Sequence, residues 1–192
     1  MSSPSESLAV SQQRAAIVIK RFGDSESFLK KVSPSTQTSF ASHPNNAVIG
    51  DYPTLLDLKQ AYGKNFAAIW LVPQIDNLTL FTGAKNITEQ QHEELAKIIA
   101  AEYGYLKVTE LLLFFHRFKA GHYGRFYGSV DPMVITCALH DFIKERNIFI
   151  DQYEREKKER EDESKPKLPT MTHEEWLEYK KQHSLENKDE HL

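Results

Sequence analysis

Residues 106–146 have the sequence LKVTELLLFFHRFKAGHYGRFYGSVDPMVITCALHDFIKER. In residues 108–119, apolar side chains cover almost the whole circumference of a helix. A helix that is apolar all round is normally a buried one, so we expect it at the centre of the core. Asp131 and Pro132 predict the start of a second helix, because aspartate is a common N-cap and proline is favoured at the first helical position. The segment therefore predicts two core helices joined by a turn.

Helical patterns also precede this segment. Residues 51–62 and 88–103 both have apolar residues at helical spacing. Thr88 and Gln91 fit a capping box, in which each side chain accepts a hydrogen bond from a free backbone N–H of the other residue. Both stretches therefore predict amphipathic helices.

Residues 65–82 form a strongly apolar segment with Pro73 in its middle. Because proline interrupts helical hydrogen bonding, the segment fits either one kinked helix or two short ones. A strand over residues 67–72 is an alternative, since short apolar runs are ambiguous, but the apolar spacing favours a helix. We therefore predict an all-α domain of about five to six helices over residues 48–155.

The two ends of the chain are more polar than this domain. Residues 1–47 are rich in serine and predict a flexible region that contains a short helix near residues 8–22. Residues 151–163 carry seven acidic and four basic side chains, which predict a solvated continuation of the last core helix. Residues 156–192 are accordingly interpreted as a long charged helical extension, a proline-containing linker and a short amphipathic tail segment.

The composition excludes several classes of protein. The chain has 192 residues, a net charge of −3 and one cysteine, Cys137. One cysteine allows no intrachain disulfide, and on the apolar side of a predicted helix it is expected to be a buried thiol. The N-terminus lacks the features of a secretory signal, and no stretch approaches the roughly 20 apolar residues of a membrane span. We therefore predict a cytoplasmic protein without a membrane contact.

The turn between the two central helices combines aromatic, basic and glycine residues. Residues 114–130 contain six aromatic residues, three Arg or Lys residues and no carboxylate. Single-stranded nucleic acid is bound by cations that follow the phosphates and by rings that stack on the bases. Alternatively, the aromatic residues pack into the core and the glycines only shape the turn, or a protein partner binds here. The candidate residues for binding nucleic acid or a partner are Arg117, Lys119, His122, Tyr123, Arg125, Phe126 and Tyr127.

The C-terminal tail contains a second candidate surface. Trp176, Leu177 and Tyr179 form an aromatic and apolar cluster within a polar segment. Such a segment can dock into a groove on a partner protein. It can equally fold back on its own domain, and the sequence does not favour either interpretation.

Histidines near the turn suggest a metal site only weakly. His116, His122 and His140 lie in or beside this region, but no H-x-x-x-H or H-E-x-x-H pattern occurs in the chain. We predict no metal ligand and no cofactor.

Motifs of known catalytic families are absent from the sequence, including the P-loop and G-x-S-x-G. Glu110 lies on the predicted buried helix, where a carboxylate can act as an acid or base. More often such a residue caps a helix or forms an ion pair, here with Arg117 or Lys119. We name no catalytic residue. A metal-dependent enzyme is the third functional hypothesis, behind a nucleic-acid-binding accessory protein and a protein–protein adaptor.

Four segments resemble an uncharacterised family found in Bacteroidetes genomes and their phages or mobile elements. They are YPTLLDLKQAYG, IWLVPQIDNL, LKVTELLLFFHRFKAGHYGRFYG and VDPMVITCALHDFIKER. The resemblance covers residues 52–147, about half of the chain, and it implies no established activity. A mobile-element context implies an accessory role in DNA replication or transfer, an inference by analogy.

Two functional hypotheses follow from these patterns. The first is a non-enzymatic accessory protein that binds single-stranded nucleic acid or a replication protein through the basic aromatic turn. The second is a protein–protein adaptor that acts through its C-terminal tail. The salt dependence of binding distinguishes the two hypotheses. Nucleic-acid binding weakens steeply as the salt concentration rises, whereas docking of an apolar helix does not. The sequence does not indicate an oligomeric state.

Overall fold

A computed structural model describes residues 4–83, 87–124, 131–164 and 172–186. Within these ranges all named secondary-structure elements are helical, as predicted. The α-helices are α1 (Pro4–Phe22), α2 (Ser25–Lys31), α3 (Gln37–Ala41), α4 (Pro44–Ile49), α5 (Leu55–Tyr62), α6 (Phe66–Thr82), α7 (Glu89–Glu102), α8 (Val108–Lys119), α9 (Pro132–Ser164) and α10 (His173–Glu186). A short 3-10 helix, Pro34–Thr36, precedes α3.

The chain divides into two compact units, Met1–Ile150 and Asp151–Leu192. The division falls within α9, whose 33 residues provide the predicted long helical extension. It lies five residues before the predicted boundary after residue 155. Among the described residues, no helix is long and apolar enough to cross a membrane.

Helix α8 lies at the centre of the first unit. Nine of its twelve residues are buried, which confirms the expectation from its apolar circumference. Phe114 contacts several other aromatic rings. Its ring centre lies 5.2 Å from that of Phe115, 6.0 Å from that of Phe118 and 5.7 Å from that of Phe142. Aromatic pairs at these separations are favourable beyond the area that they bury.

Helix α6 continues through Pro73 as a single helix, so the strand alternative is wrong. Pro73 removes one helical hydrogen bond. Burial of α6 offsets this cost, since Trp70, Leu71 and Ile75 are fully buried around the proline. The indole Nε1 of Trp70 also donates a hydrogen bond of 2.7 Å to the carbonyl oxygen of Val32.

Helices α7 and α9 start where their capping signals predicted, whereas α5 starts at Leu55, four residues after the predicted residue 51. The Thr88 hydroxyl accepts a hydrogen bond from the backbone of Gln91, and the Gln91 side chain accepts one from the backbone of Thr88, which completes the capping box of α7. Asp131 Oδ1 accepts a 2.9 Å hydrogen bond from the Val134 N–H at the start of α9. One prediction on α9 is wrong, because Cys137 is exposed on this helix. Its neighbours Ala138 and Leu139 lie on the buried face instead.

The N-terminal region contributes to the core, which therefore begins well before residue 48. Helices α1 to α4 lie in this region, and Phe28 within it is fully buried. The hydroxyl of Thr109 on α8 donates a hydrogen bond of 2.7 Å to the carbonyl oxygen of Ala47. Polar and proline residues of this region start short helices, since Asp24 is the N-cap of α2 and Pro44 lies in the first turn of α4.

Candidate functional site

The turn after α8 is the first predicted binding surface, and the structure describes it as far as Gly124. Gly121 and Gly124 have φ angles of 81° and 98°, a left-handed conformation that glycine adopts without strain. A Cβ atom at either position would meet no atom of the described residues within 4 Å, so among these residues the backbone conformation is what requires glycine here. The predicted binding residues Arg125, Phe126 and Tyr127 lie outside the described residues.

Both described cations of the turn are engaged in intramolecular contacts. Arg117 Nη1 donates a hydrogen bond of 3.2 Å to Glu145 Oε2 on α9. Lys119 Nζ donates one of 2.8 Å to Asn77 Oδ1 on α6, and partial burial lowers the pKa of this lysine. A phosphate would therefore have to compete with these internal partners for both side chains.

Tyr123 packs against the core, whereas His122 is exposed. The ring centre of Tyr123 lies 5.7 Å from that of Phe114 and 6.4 Å from that of Phe118. Burial, together with the nearby Glu145 carboxylate, raises the pKa of Tyr123 to about 12. For Tyr123 the structure thus favours packing into the core over stacking on a base.

Phe81, which follows the exposed Leu80 near the end of α6, lies beside the turn, and sequence reasoning missed it. Leu80 and Phe81 are 81% and 65% exposed. Lys119 Nζ lies 5.7 Å from the centre of the Phe81 ring. The sequence held a signal, because neither residue falls on the buried stripe of α6 that includes Ile75 and Leu78. The sequence could not reveal that Phe81 contacts the turn, because Lys119 lies about 40 positions further along the chain.

Glu110 has a structural role, and its partner is Arg146 rather than Arg117 or Lys119. Glu110 Oε1 accepts a hydrogen bond of 2.5 Å from Arg146 Nε, and Oε2 accepts one of 2.8 Å from the Lys107 N–H. The Lys107 ammonium in turn donates to the backbone oxygens of Val48 and Gly50. Oε1 therefore joins α8 to α9, whereas Oε2 caps the N-terminus of α8 itself.

The second predicted surface lies on α10 in the C-terminal unit. Trp176, Leu177 and Tyr179 are exposed to between 41% and 49%. The His173 ring stacks on Trp176 at 6.2 Å between centres, and Lys180 Nζ lies 4.7 Å from the centre of the Trp176 ring. The indole is therefore held by residues one helical turn before and after it, while much of its surface faces solvent.

Among the described residues, no three His, Cys, Asp or Glu side chains form a group that could hold a metal ion.

A protein-family model described as a family of unknown function (DUF6633) matches residues 86–189, more than half of the chain. The chain belongs to this family. The DUF6633 match includes α7 to α10 and therefore both candidate surfaces. The expectation of a family of unknown function is confirmed, although the matched region begins at residue 86 rather than 52 and ends at residue 189 rather than 147. Searches of curated proteins and of solved structures found no match.

Proposed function

We propose that this DUF6633 protein is an adaptor that binds a partner protein through α10. The observation that carries the proposal is the exposed aromatic face of that helix. His173, Trp176, Leu177 and Lys180 have the spacing i, i+3, i+4 and i+7, which places them on one side of a helix. Tyr179 flanks Trp176 at the edge of this face. Exposed tryptophan and tyrosine are the residue types most enriched among energetically dominant interface residues.

The opposite side of α10 indicates the kind of groove that it fits. Glu174, Glu175 and Glu178 lie away from the Trp176 face and are exposed. An amphipathic helix of this type docks its apolar side into a hydrophobic groove. Because these carboxylates then face solvent, the docked side is the apolar one, and we infer a partner with an apolar groove.

The start of α10 is encoded locally. The Thr172 N–H donates a 2.7 Å hydrogen bond to Glu175 Oε2, and the Glu175 N–H donates one of 3.3 Å to Thr172 Oγ1. This capping box favours the helix before any partner is bound. A preformed helix loses less conformational entropy on docking, which favours binding.

Removing the apolar face of α10 is expected to abolish partner capture. We expect the full-length chain with Trp176→Ala and Leu177→Ala to bind a captured partner at least about 30-fold more weakly, since a dominant interface residue contributes about 2 kcal/mol or more. Affinity capture at low and high salt, followed by titration of the recovered partner, measures the loss.

Lys158→Ala is the matched control, because Lys158 is an exposed basic residue of the same C-terminal unit that lies outside α10. It should leave capture unchanged. Equal capture by the wild type, the double variant and a chain that ends at residue 163 would remove α10 from consideration.

A second candidate function is binding of single-stranded nucleic acid, or of a replication protein, at the turn after α8. The observation that favours it is the exposed Phe81 ring beside the Lys119 ammonium. A cation next to an exposed ring is the combination that single-strand binding uses. His122 adds an exposed polar ring, and Arg125, Phe126 and Tyr127 are assigned to the surface from the sequence alone.

Phe81→Ala is expected to weaken single-strand binding about tenfold, because stacking contributes about 1–3 kcal/mol per base. Arg125→Glu should weaken it further and reduce its dependence on salt. Fluorescence anisotropy of labelled single-stranded and double-stranded oligonucleotides at two salt concentrations tests both variants. Unchanged far-UV circular dichroism provides the folding control, and absence of salt-sensitive binding by the wild type would leave the adaptor function alone.

The setting of either function rests on the sequence. We propose a cytoplasmic protein of phage or mobile-element origin in Bacteroidetes, as its resemblance to an uncharacterised family implies. A protein of the DNA replication or transfer machinery is then a candidate partner for either surface.

A further inference from the structure

A groove runs along the outer side of α6 and α7, which pack against each other as antiparallel helices. The orientation follows from their contacts, because Asp76 near the end of α6 pairs with His92 near the start of α7. Asn65 at the start of α6 and Lys97 on the later part of α7 line the same depression. This depression encloses about 460 Å³, and a smaller one of about 180 Å³ adjoins it.

The floor of the groove is apolar and formed by small side chains. Ala68 lines both depressions, with Ile69 and Val72 on one side and Ala100 and Ala101 on the other. Ile69 is 53% exposed although it lies in the middle of a strongly apolar helix. Small residues allow a second helix to approach closely, and an exposed isoleucine can then insert between the side chains opposite.

The two ends of the groove have opposite charge. Asp76, Glu89 and Glu93 lie at one end, and Lys59 and Lys64 lie at the other. Lys97 lines both depressions and forms an exposed ion pair of 3.2 Å with Glu93. The surface therefore has an acidic end, an apolar centre near Ala68 and a basic end.

We propose that this groove is the interface at which two copies of the chain associate. A two-fold axis through the apolar centre brings the acidic end of one copy onto the basic end of the other. The same operation brings the two apolar centres together, which is the self-complementarity that a two-fold interface requires. Two antiparallel helix pairs that pack in this way form a four-helix arrangement with an apolar core.

Charge reversal at either end tests the pairing. Glu89→Lys places lysine opposite Lys64, and Lys64→Glu places glutamate opposite Glu89. Because a two-fold interface contains each contact twice, we expect either full-length variant to dissociate at least about tenfold more readily than the wild type. An equimolar mixture of the two variants restores both attractive contacts and should recover the dimer. Light scattering coupled to size-exclusion chromatography measures each mass.

Two controls and a second pair of charge reversals make the outcome decisive. Glu94→Lys reverses a charge on the same helix outside the groove and should leave the dimer intact. The variant with Trp176→Ala and Leu177→Ala should also dimerise, which separates this inference from the proposed function of α10. If Glu89→Lys or Lys64→Glu lowers the melting temperature measured by circular dichroism, the pair Glu93→Lys and Lys59→Glu is tested instead. A monomeric wild type at roughly 100 μM, a dimer that tolerates both reversals, or a mixture that stays monomeric would overturn the proposal.

Discussion

Replacing Arg146 with alanine is expected to lower the free energy of unfolding by about 3–5 kcal/mol. The Glu110 carboxylate is fully buried, and Arg146 is its only side-chain ion-pair partner among the described residues. Removing the guanidinium leaves a carboxylate in the core with one remaining hydrogen-bond donor, the Lys107 N–H. An unpaired buried charge is far more costly than the loss of an exposed one. Urea unfolding followed by circular dichroism measures the change.

Arg117→Ala provides a matched comparison. Arg117 also joins α8 to α9, but its side chain is 27% exposed and that of its partner Glu145 is 53% exposed. Ion pairs that are exposed to solvent in this way contribute about 0–1 kcal/mol to the free energy of unfolding. The two variants therefore remove the same residue type from the same helix pair and differ in the burial of the carboxylate left behind. Equal losses of stability would show that the burial of Glu110 does not determine the effect.

The sequence predicted the elements that depend on local signals. The apolar circumference of α8 indicated a buried helix, and the Thr88 capping box and the Asp131 N-cap indicated helix starts. These features involve residues within a few positions of one another, so their geometry follows from the helix itself. For the same reason, the cap of α10 and the helical spacing of its aromatic residues were predictable from the sequence, whereas their exposure was not.

Contacts between distant positions could not be predicted in the same way. Glu110 and Arg146 are 36 positions apart, and the sequence offered Arg117 and Lys119 as nearer partners. Those two side chains bind Glu145 and Asn77 instead, which reduces the basic surface expected at the turn. A list of charges along a chain does not show which of them meet across packed helices. The structure therefore differs from the sequence-based prediction more at the turn than in the overall fold.

The N-terminal region shows how composition can mislead. Serine, asparagine and proline are common both in flexible linkers and at helix starts, so their frequency alone does not distinguish the two. The decisive residues are the few apolar ones between them, such as Phe28, Val32 and Ala47, which are buried in the core. Short helices place these side chains without a long apolar stripe, and the periodic signal of such helices is weak.

Replacing Phe28 with alanine is therefore expected to lower the free energy of unfolding by about 3–5 kcal/mol, the usual cost of removing a buried phenylalanine ring. Phe28 is fully buried, and its ring centre lies 5.1 Å from that of Phe22, 5.5 Å from Tyr62 and 5.8 Å from Phe66. The alanine variant would leave a cavity where α1 and α2 meet α5 and α6. Chemical unfolding monitored by circular dichroism measures the loss.

Phe81→Ala is the control for this prediction, because it removes the same ring from a site that is 65% exposed. Exposed substitutions of this kind usually change stability by no more than about 0.5 kcal/mol. A flexible N-terminal region, as the serine-rich composition suggested, would make Phe28→Ala equally mild. A large loss at Phe28 with little change at Phe81 would instead place the start of the folding unit in the first helices of the chain. The DUF6633 match, which begins at residue 86, would then cover only part of the domain that folds together.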